Sequence, residues 1–481
     1  MLWNAPRRDR WRRVLAGWNK MVGGLFGRQT PGDPKVKGKG KTQDAPRTLF
    51  VQPMTRDSAR AADKGRLLPR FHAMASDQLA GRSSDRFAGM RAKLRHAFTP
   101  SQPVADRKMF AGREDVLKTM IRSIEDQRLH VVIYGERGIG KTSLLHMLTQ
   151  AATEARYIVV YTSCGANSTF DETFRAAASD IPLLFHSSFA PTTAEAEKGA
   201  SLADLLPDGP LSPRKFGDLC AKLTGTRALI ILDEFDRCES GAFRRDVAEL
   251  IKNLSDRLGR VQLVLAGVAA DLTELVEHIP SIRRNILALR IPMMSDAEVL
   301  QIVANGEQEA GFSFDPMASA SVVSVAMGSP YIANLLCHHA GHAALDQGRS
   351  TILPVDVSSA VDRAVLEFQS RIAKPIQSHV RRLFEQGHNE ALATAARAAL
   401  AADGAFTLGE LEAVNGIDGK KAQAIVTLLT AESLLSATDD DDVGKRYAFI
   451  EESMPAYLWI SSARQNLQAE PAKTRAVAAR T

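Results

Sequence analysis

Glutamate is absent from the first 108 residues of this 481-residue chain, where 24 lysines and arginines face only 8 aspartates. That stretch is net +16, so a total of +6 leaves the remainder at −10. The overall basic balance therefore describes a basic arm on an acidic body rather than a uniformly basic protein. Cysteine is scarce: Cys164, Cys220, Cys238 and Cys337 show no CxxC spacing and no histidines at metal-ligand spacing. This excludes a disulfide framework and a zinc ribbon, and predicts four buried thiols in a reducing, cytoplasmic setting. No apolar run approaches the ~20 residues needed to cross a bilayer, so the body is expected to be soluble. Aromatic residues make up only 6% of the chain, yet Trp3, Trp11 and Trp18, three of its four tryptophans, fall within the first 26 residues.

Those 26 residues place Trp11, Val14, Leu15, Trp18, Met21, Val22, Leu25 and Phe26 at helical spacing, with Arg8, Arg10, Arg12, Arg13 and Lys20 mostly off the stripe. The pattern predicts a basic amphipathic helix over 1–27, suited to a membrane surface or a partner groove; an unstructured basic tail fits as well. Its Arg-rich, Glu-free composition also resembles a transit peptide. Residues 28–48 are rich in Gly, Pro and Lys and read as a flexible linker. Residues 49–105 stay basic and weakly periodic, with a helix expected around Asp85 to Ala97. The whole of 28–108 is taken as a basic, largely disordered arm.

The segment His130 to Leu145 carries the main chemical signal. An apolar run leads straight into Gly135-Glu136-Arg137-Gly138-Ile139-Gly140-Lys141-Thr142, the GxxxxGK[ST] spacing of a phosphate-binding P-loop. The glycines let successive backbone N–H groups turn toward a phosphate, and the next helix aims its positive dipole end at the same anion. Gly135, Gly138, Ile139, Gly140, Lys141, Thr142 and Ser143 are thus the expected nucleotide-binding set, with Lys141 on the outer phosphates and the Thr142 hydroxyl toward Mg²⁺. Downstream, Ala228 to Leu232 is a buried-strand run ending in Asp233-Glu234-Phe235-Asp236. Carboxylates there reach the crevice beyond the strand ends, so Asp233 is expected to hold the Mg²⁺ shell and Glu234 to polarise the attacking water.

From residue 109 to 292 apolar strands alternate with amphipathic helices, which predicts a parallel sheet of five strands: 130–134, 157–163, 228–232, 261–266 and 286–291. The stretch 190–212 interrupts the alternation as a surface insertion. Ser212-Pro213 supplies a helix start, and Ser295 to Glu298 is a capping box opening a helical lid over 293–385. Residues 386–463 read as three helices and a hairpin, Leu434 to Ala437 and Tyr447 to Ile450 joined by TDDDDVGKR, the element order of a winged helix. Residues 464–481 read as a polar, frayed tail.

These motifs resemble AAA+ ATPases of the origin-recognition and archaeal-initiator type, which shade into STAND signalling NTPases; the likeness runs from Phe110 to Trp459. It implies ATP as the nucleotide, an adenine-side role for Phe110-Ala111-Gly112-Arg113-Glu114, and a trans-acting arginine finger at Arg283 or Arg284 that completes a homo-oligomer's or AAA+ partner's site. Two departures stand out. Ala266-Gly267-Val268 lacks the family's polar sensor, and the lid reads Gly328-Ser329-Pro330-Tyr331, similar to the GxP element of STAND proteins, in which Pro330 packs on nucleotide. Slow hydrolysis, and a switch rather than a motor, are therefore expected. DNA binding through residues 1–108, or through Lys420, Lys421, Gln423 and Thr427 of the winged helix, stays open, although Asp439 to Asp442 would repel phosphate at the wing. A DNA-loading or transposition-accessory ATPase and a membrane-peripheral signalling or defence NTPase anchored through 1–26 are the alternatives.

Overall fold

The computed structural model describes residues 88–188, 199–257, 259–267, 280–402, 404–440 and 444–478. The expected amphipathic start, the Gly/Pro/Lys-rich linker and residues 190–198 of the 190–212 insertion lie outside them. All described residues belong to one compact unit.

The first helix, α1 (Ala88–Ala97), is followed by α2 (Glu114–Glu125) and β1 (His130–Tyr134). Then come α3 (Lys141–Glu154), β2 (Ile158–Ser163), α4 (Phe170–Ser179), α5 (Pro213–Cys220), β3 (Ala228–Asp233), α6 (Gly241–Asp256), β4 (Val261–Gly267) and β5 (Ile286–Arg290). The five strands pair in parallel in the order β2-β3-β4-β1-β5. Every residue of β3 and β4 is buried, as unbroken Val/Ile/Leu runs require of strands covered on both faces. Ser212 accepts from the Lys215 N–H and Pro213 opens α5, as the sequence predicts.

The stretch expected to form a lid comprises α7 (Asp296–Ala310), a short parallel pair β6 (Ser313–Phe314) and β7 (Thr351–Ile352), and the helices α8 (Pro316–Ala326), α9 (Pro330–Asp346), α10 (Pro354–Ser370) and α11 (Lys374–Glu385). Ser295 and Glu298 form the expected capping box. The C-terminal part holds α12 (Asn389–Ala401), β8 (Ala405–Phe406), α13 (Leu408–Asn415), α14 (Gly419–Ala431), β9 (Leu435–Asp440), β10 (Gly444–Phe449) and α15 (Met454–Ala478).

The structure departs from the sequence expectations at four places. Residues from Ala88 onward are not a loose arm: Leu94, Ala97 and Phe98 are buried in the lid core. Phe98 fits over Gly306 of α7, where an added Cβ would fall 1.9 Å from its ring, and Leu94 fits over Gly341 of α9, where the gap would be 2.4 Å. The hairpin strands are longer than expected, so Asp439 and Asp440 pair in register with Lys445 and Gly444 instead of forming the turn, and β8 adds a third strand against β10. There is no break in the core at residue 385, because lid and C-terminal residues share one continuous apolar cluster. Trp459 of α15 donates to the Val325 carbonyl of α8 at 2.9 Å. Finally, the segment after Ala463 is not frayed at its start, since α15 runs on to Ala478. The alanine content of α12 has a packing reason: Ala395, Ala396, Ala398 and Ala399 are fully buried, and small side chains let α15 approach closely.

Candidate nucleotide site

β1 delivers the chain to the carboxyl edge of the sheet, where Gly135, Gly138 and Gly140 adopt φ of 150°, 78° and 99°. These left-handed values strain any residue with a Cβ, and at Gly135 a Cβ would also lie 2.8 Å from the Ile291 carbonyl oxygen. Ile139 is the loop's anchor, buried in the sheet core beside Ile291. α3 begins at Lys141 without a side-chain cap, which leaves its first turn to present N–H groups to an anion. The Lys141 ammonium donates to the carbonyls of Gly135 at 2.6 Å and Glu136 at 2.8 Å, closing the loop on itself. Thr142 is partly exposed in that turn. The Ser143 hydroxyl points elsewhere: it accepts from the Val104 N–H at 3.0 Å, so any contact of this residue with phosphate is through its backbone.

β3 ends at the same edge. Asp233 is buried, with Oδ1 accepting from the Glu234 N–H at 2.9 Å and Oδ2 from the Tyr161 hydroxyl at 2.5 Å. Burial, reinforced by Asp233, pushes the Tyr161 phenol well above its ordinary value and keeps it a donor. Glu234 has φ of 54°, a left-handed value rare for a side-chain-bearing residue and a form of strain that clusters at functional sites. Its Oε2 accepts from the Ser163 hydroxyl at 2.8 Å and pairs with Arg237 at 3.2 Å. Tyr161 and Ser163 alternate along β2, so both face the carboxylates of β3. The sequence reading missed both; hydroxyls two apart on the strand beside an Asp-Glu terminus were the available signal.

Gly267 ends β4 between β1 and β3, and a Cβ there would meet the Asp236 N at 3.3 Å. No side chain from β4's last residue therefore reaches the crevice, and Val268 lies outside the described residues. Opposite, the lid's α9 lays its first turn on the P-loop. Cβ atoms at Gly138 and Gly140 would lie 3.2 Å from Tyr331 Cβ and 3.9 Å from Pro330 Cγ. Arg371 donates to the Tyr331 hydroxyl at 2.7 Å and lies over the Tyr331 and Phe368 rings. Arg137 of the loop pairs with Glu452, which precedes α15. Phe110 to Glu114 bind the core to the lid entrance: Arg113 donates to the Pro292 carbonyl, Phe110 accepts from Asn305, and Gly112 packs on Glu298.

Arg283 and Arg284 are exposed on a 3-10 turn held down by buried Ile282. They precede β5, which runs parallel to β1 with Ile286 beside His130. They therefore sit at the amino edge of the sheet, about 16 Å of strand from the P-loop at ~3.3 Å per residue. In the C-terminal part, Lys421 is paired with Glu390 at 2.7 Å and Gln423 with Thr427 at 3.2 Å, while Lys420 is exposed. Asp441 and Asp442 lie outside the described residues.

The architecture is the α/β P-loop AAA+ fold, and residues 124–276 match the family model of the AAA domain. The chain is similar in structure to Cdc6p from Pyrobaculum aerophilum, with 15% identity over 78% of this chain and 98% of that one and a TM-score of 0.42. It is also similar to the Aeropyrum pernix ORC1 protein, solved in complex with DNA, with 16% identity over 76% and 96% and a TM-score of 0.39. The Thermotoga maritima RuvB Holliday junction branch migration motor gives 16% identity over 73% and 96%, with a TM-score of 0.39. No curated protein sequence matches the chain.

Proposed function

We propose that the chain is a slow ATP-hydrolysing switch in which nucleotide at the P-loop sets the position of the lid and of a C-terminal winged helix. The observation that carries this is the convergence on one sheet edge of the Lys141 loop, the Asp233-Glu234 pair and the first turn of α9. Lys141 and the first-turn N–H groups of α3 would hold the phosphates. Mg²⁺ fits the donor set, a buried carboxylate at Asp233 and the Thr142 hydroxyl being hard oxygen ligands beside the loop; when bound it would neutralise charge on the phosphate oxygens. Glu234 would orient the attacking water once freed from Ser163 and Arg237, and that engagement supports slow turnover. Coupling to the C-terminal part is supported by the Arg137–Glu452 pair and by the core it shares with the lid. Lys141→Ala should abolish ATP binding, and Glu234→Gln should keep binding and lose turnover. Equal turnover in both variants and wild type would reject the assignment.

Assembly is part of the proposal. Arg283 and Arg284 stand at the sheet edge opposite their own phosphate site, which supports service to a neighbouring subunit and not in cis. A second reading, DNA association, is favoured by the net +16 of residues 1–108. Affinity for duplex DNA should then fall steeply with salt and disappear when 1–108 are deleted; salt-insensitive binding would remove this reading.

A further inference from the structure

We infer that Tyr161 is the positioning residue that fixes Asp233 as a divalent-cation ligand, and that His146 holds Tyr161 in place for this task. The inference rests on the nucleotide reading above and concerns how its cation site is built.

His146, Tyr161 and Asp233, from three elements, form a connected row. Thr142 and His146 are four apart on α3 and so share a helix face. The His146 ring lies 5.6 Å from the Tyr161 ring at an interplanar angle of 59°, walling off one side of the phenol. From β2 the Tyr161 hydroxyl donates to Asp233 Oδ2 at 2.5 Å, and the other carboxylate oxygen is held by the Glu234 N–H at 2.9 Å. A carboxylate anchored at both oxygens has no rotational freedom left at its last torsion. β4, the strand on the other side of β3, ends in Gly267, which has no side chain to take the place of the phenol.

Outer-shell donors of this kind orient ligating carboxylates, and removing one typically costs about 10–100-fold in metal affinity. A packing role alone predicts a different result, since phenylalanine retains the ring and its contact with His146. The two roles are separable by a metal titration.

The test uses the full chain and a slowly hydrolysed ATP analogue, whose affinity is measured by calorimetry in EDTA and across a Mg²⁺ series, with Mn²⁺ resonance spectra giving metal affinity directly. For Tyr161→Phe the expected result is unchanged affinity in EDTA, a metal midpoint raised about tenfold, and a melting temperature close to wild type. His146→Ala keeps both oxygens and removes the wall, so a shift of about two- to fivefold in the same direction is expected on the same ground, and this variant decides the matter where Tyr161→Phe does not fold. Metal midpoints equal to wild type in these variants would overturn the role of Tyr161 while leaving the nucleotide site standing. Absence of metal-dependent nucleotide binding in the wild-type chain would overturn both.

Discussion

Arg137, in the middle of the P-loop, is paired with Glu452 at the head of the last helix, 315 residues further along the chain. Both side chains are about two-thirds exposed, at 64% and 66%. A pair so exposed contributes at most about 1 kcal/mol to stability, and its interest lies in competition: phosphate and Glu452 want the same guanidinium. Glu452→Gln should therefore tighten nucleotide binding by about two- to fivefold and leave the melting temperature within about 2 °C. Isothermal titration checks this, and weaker binding would mean that Glu452 supports the loop in its binding form.

The arginines at the opposite edge of the sheet give a kinetic prediction. Changing Arg283 and Arg284 together to Ala should leave ATP affinity nearly intact while turnover falls by a factor on the order of 10³. Wild-type turnover per chain should rise with protein concentration, and mixing the double variant with Lys141→Ala should restore part of the activity. Turnover that is independent of concentration and of both arginines would place them outside any active site.

His130 opens β1, fully enclosed, and its Nδ1 accepts from the Leu263 N–H at 2.9 Å. Burial lowers its pKa from 6.5 to about 4, so the folded chain holds it neutral where the unfolded chain protonates it. The unfolded state then binds more protons between these values, and stability falls as pH drops from 6.5 toward 4 and levels off below. The contribution is about 3 kcal/mol at full extent. Unfolding by urea at pH 7, 5.5 and 4.5 should show a shallower acid loss in His130→Gln than in wild type. Parallel losses would assign the acid sensitivity to other groups.

The helix expected around Asp85 to Ala97 is present as α1, and Gly306 and Gly341 explain why its burial escaped the sequence reading. The hydrophobic stripe of 88–98 is short and interrupted by Arg91, Lys93 and Arg95, so charge dominated its composition. The partners that make it fold are two mid-helix glycines more than 200 residues away, and the hint lay in them: an isolated glycine inside a helical pattern marks a close approach. Gly306→Ala would press a methyl into the Phe98 ring, with an expected cost of about 1–3 kcal/mol. Protease cleavage should then appear between residues 98 and 110, and resistance equal to wild type would show that the ring moves aside without cost.

The five strands, the P-loop and the Ser295–Glu298 capping box were legible because each is a local pattern with one physical solution. The Asp233-Glu234 terminus was legible for the same reason. Its supporting hydroxyls were not, since Tyr161 and Ser163 matter only through the register that sets β2 beside β3. The contact of Tyr331 with Gly138 and the pairing of Arg137 with Glu452 depend on how lid and C-terminal helices pack, which no local window contains. The hairpin was misjudged because four aspartates read as a turn, whereas β9 runs on through Asp439 and Asp440, which stand in register with Lys445 and Gly444.

The central claim is that nucleotide at the P-loop moves the C-terminal part of the molecule, and hydrogen exchange tests it most directly. Glu234→Gln loaded with ATP and Mg²⁺ should exchange faster than its nucleotide-free form at residues 451–460 and at the start of α9, where Glu452 and Tyr331 meet the loop. Lys141→Ala under the same conditions should show no change. Identical exchange in Glu234→Gln with and without ATP, at concentrations where calorimetry shows the nucleotide bound, would contradict the switch.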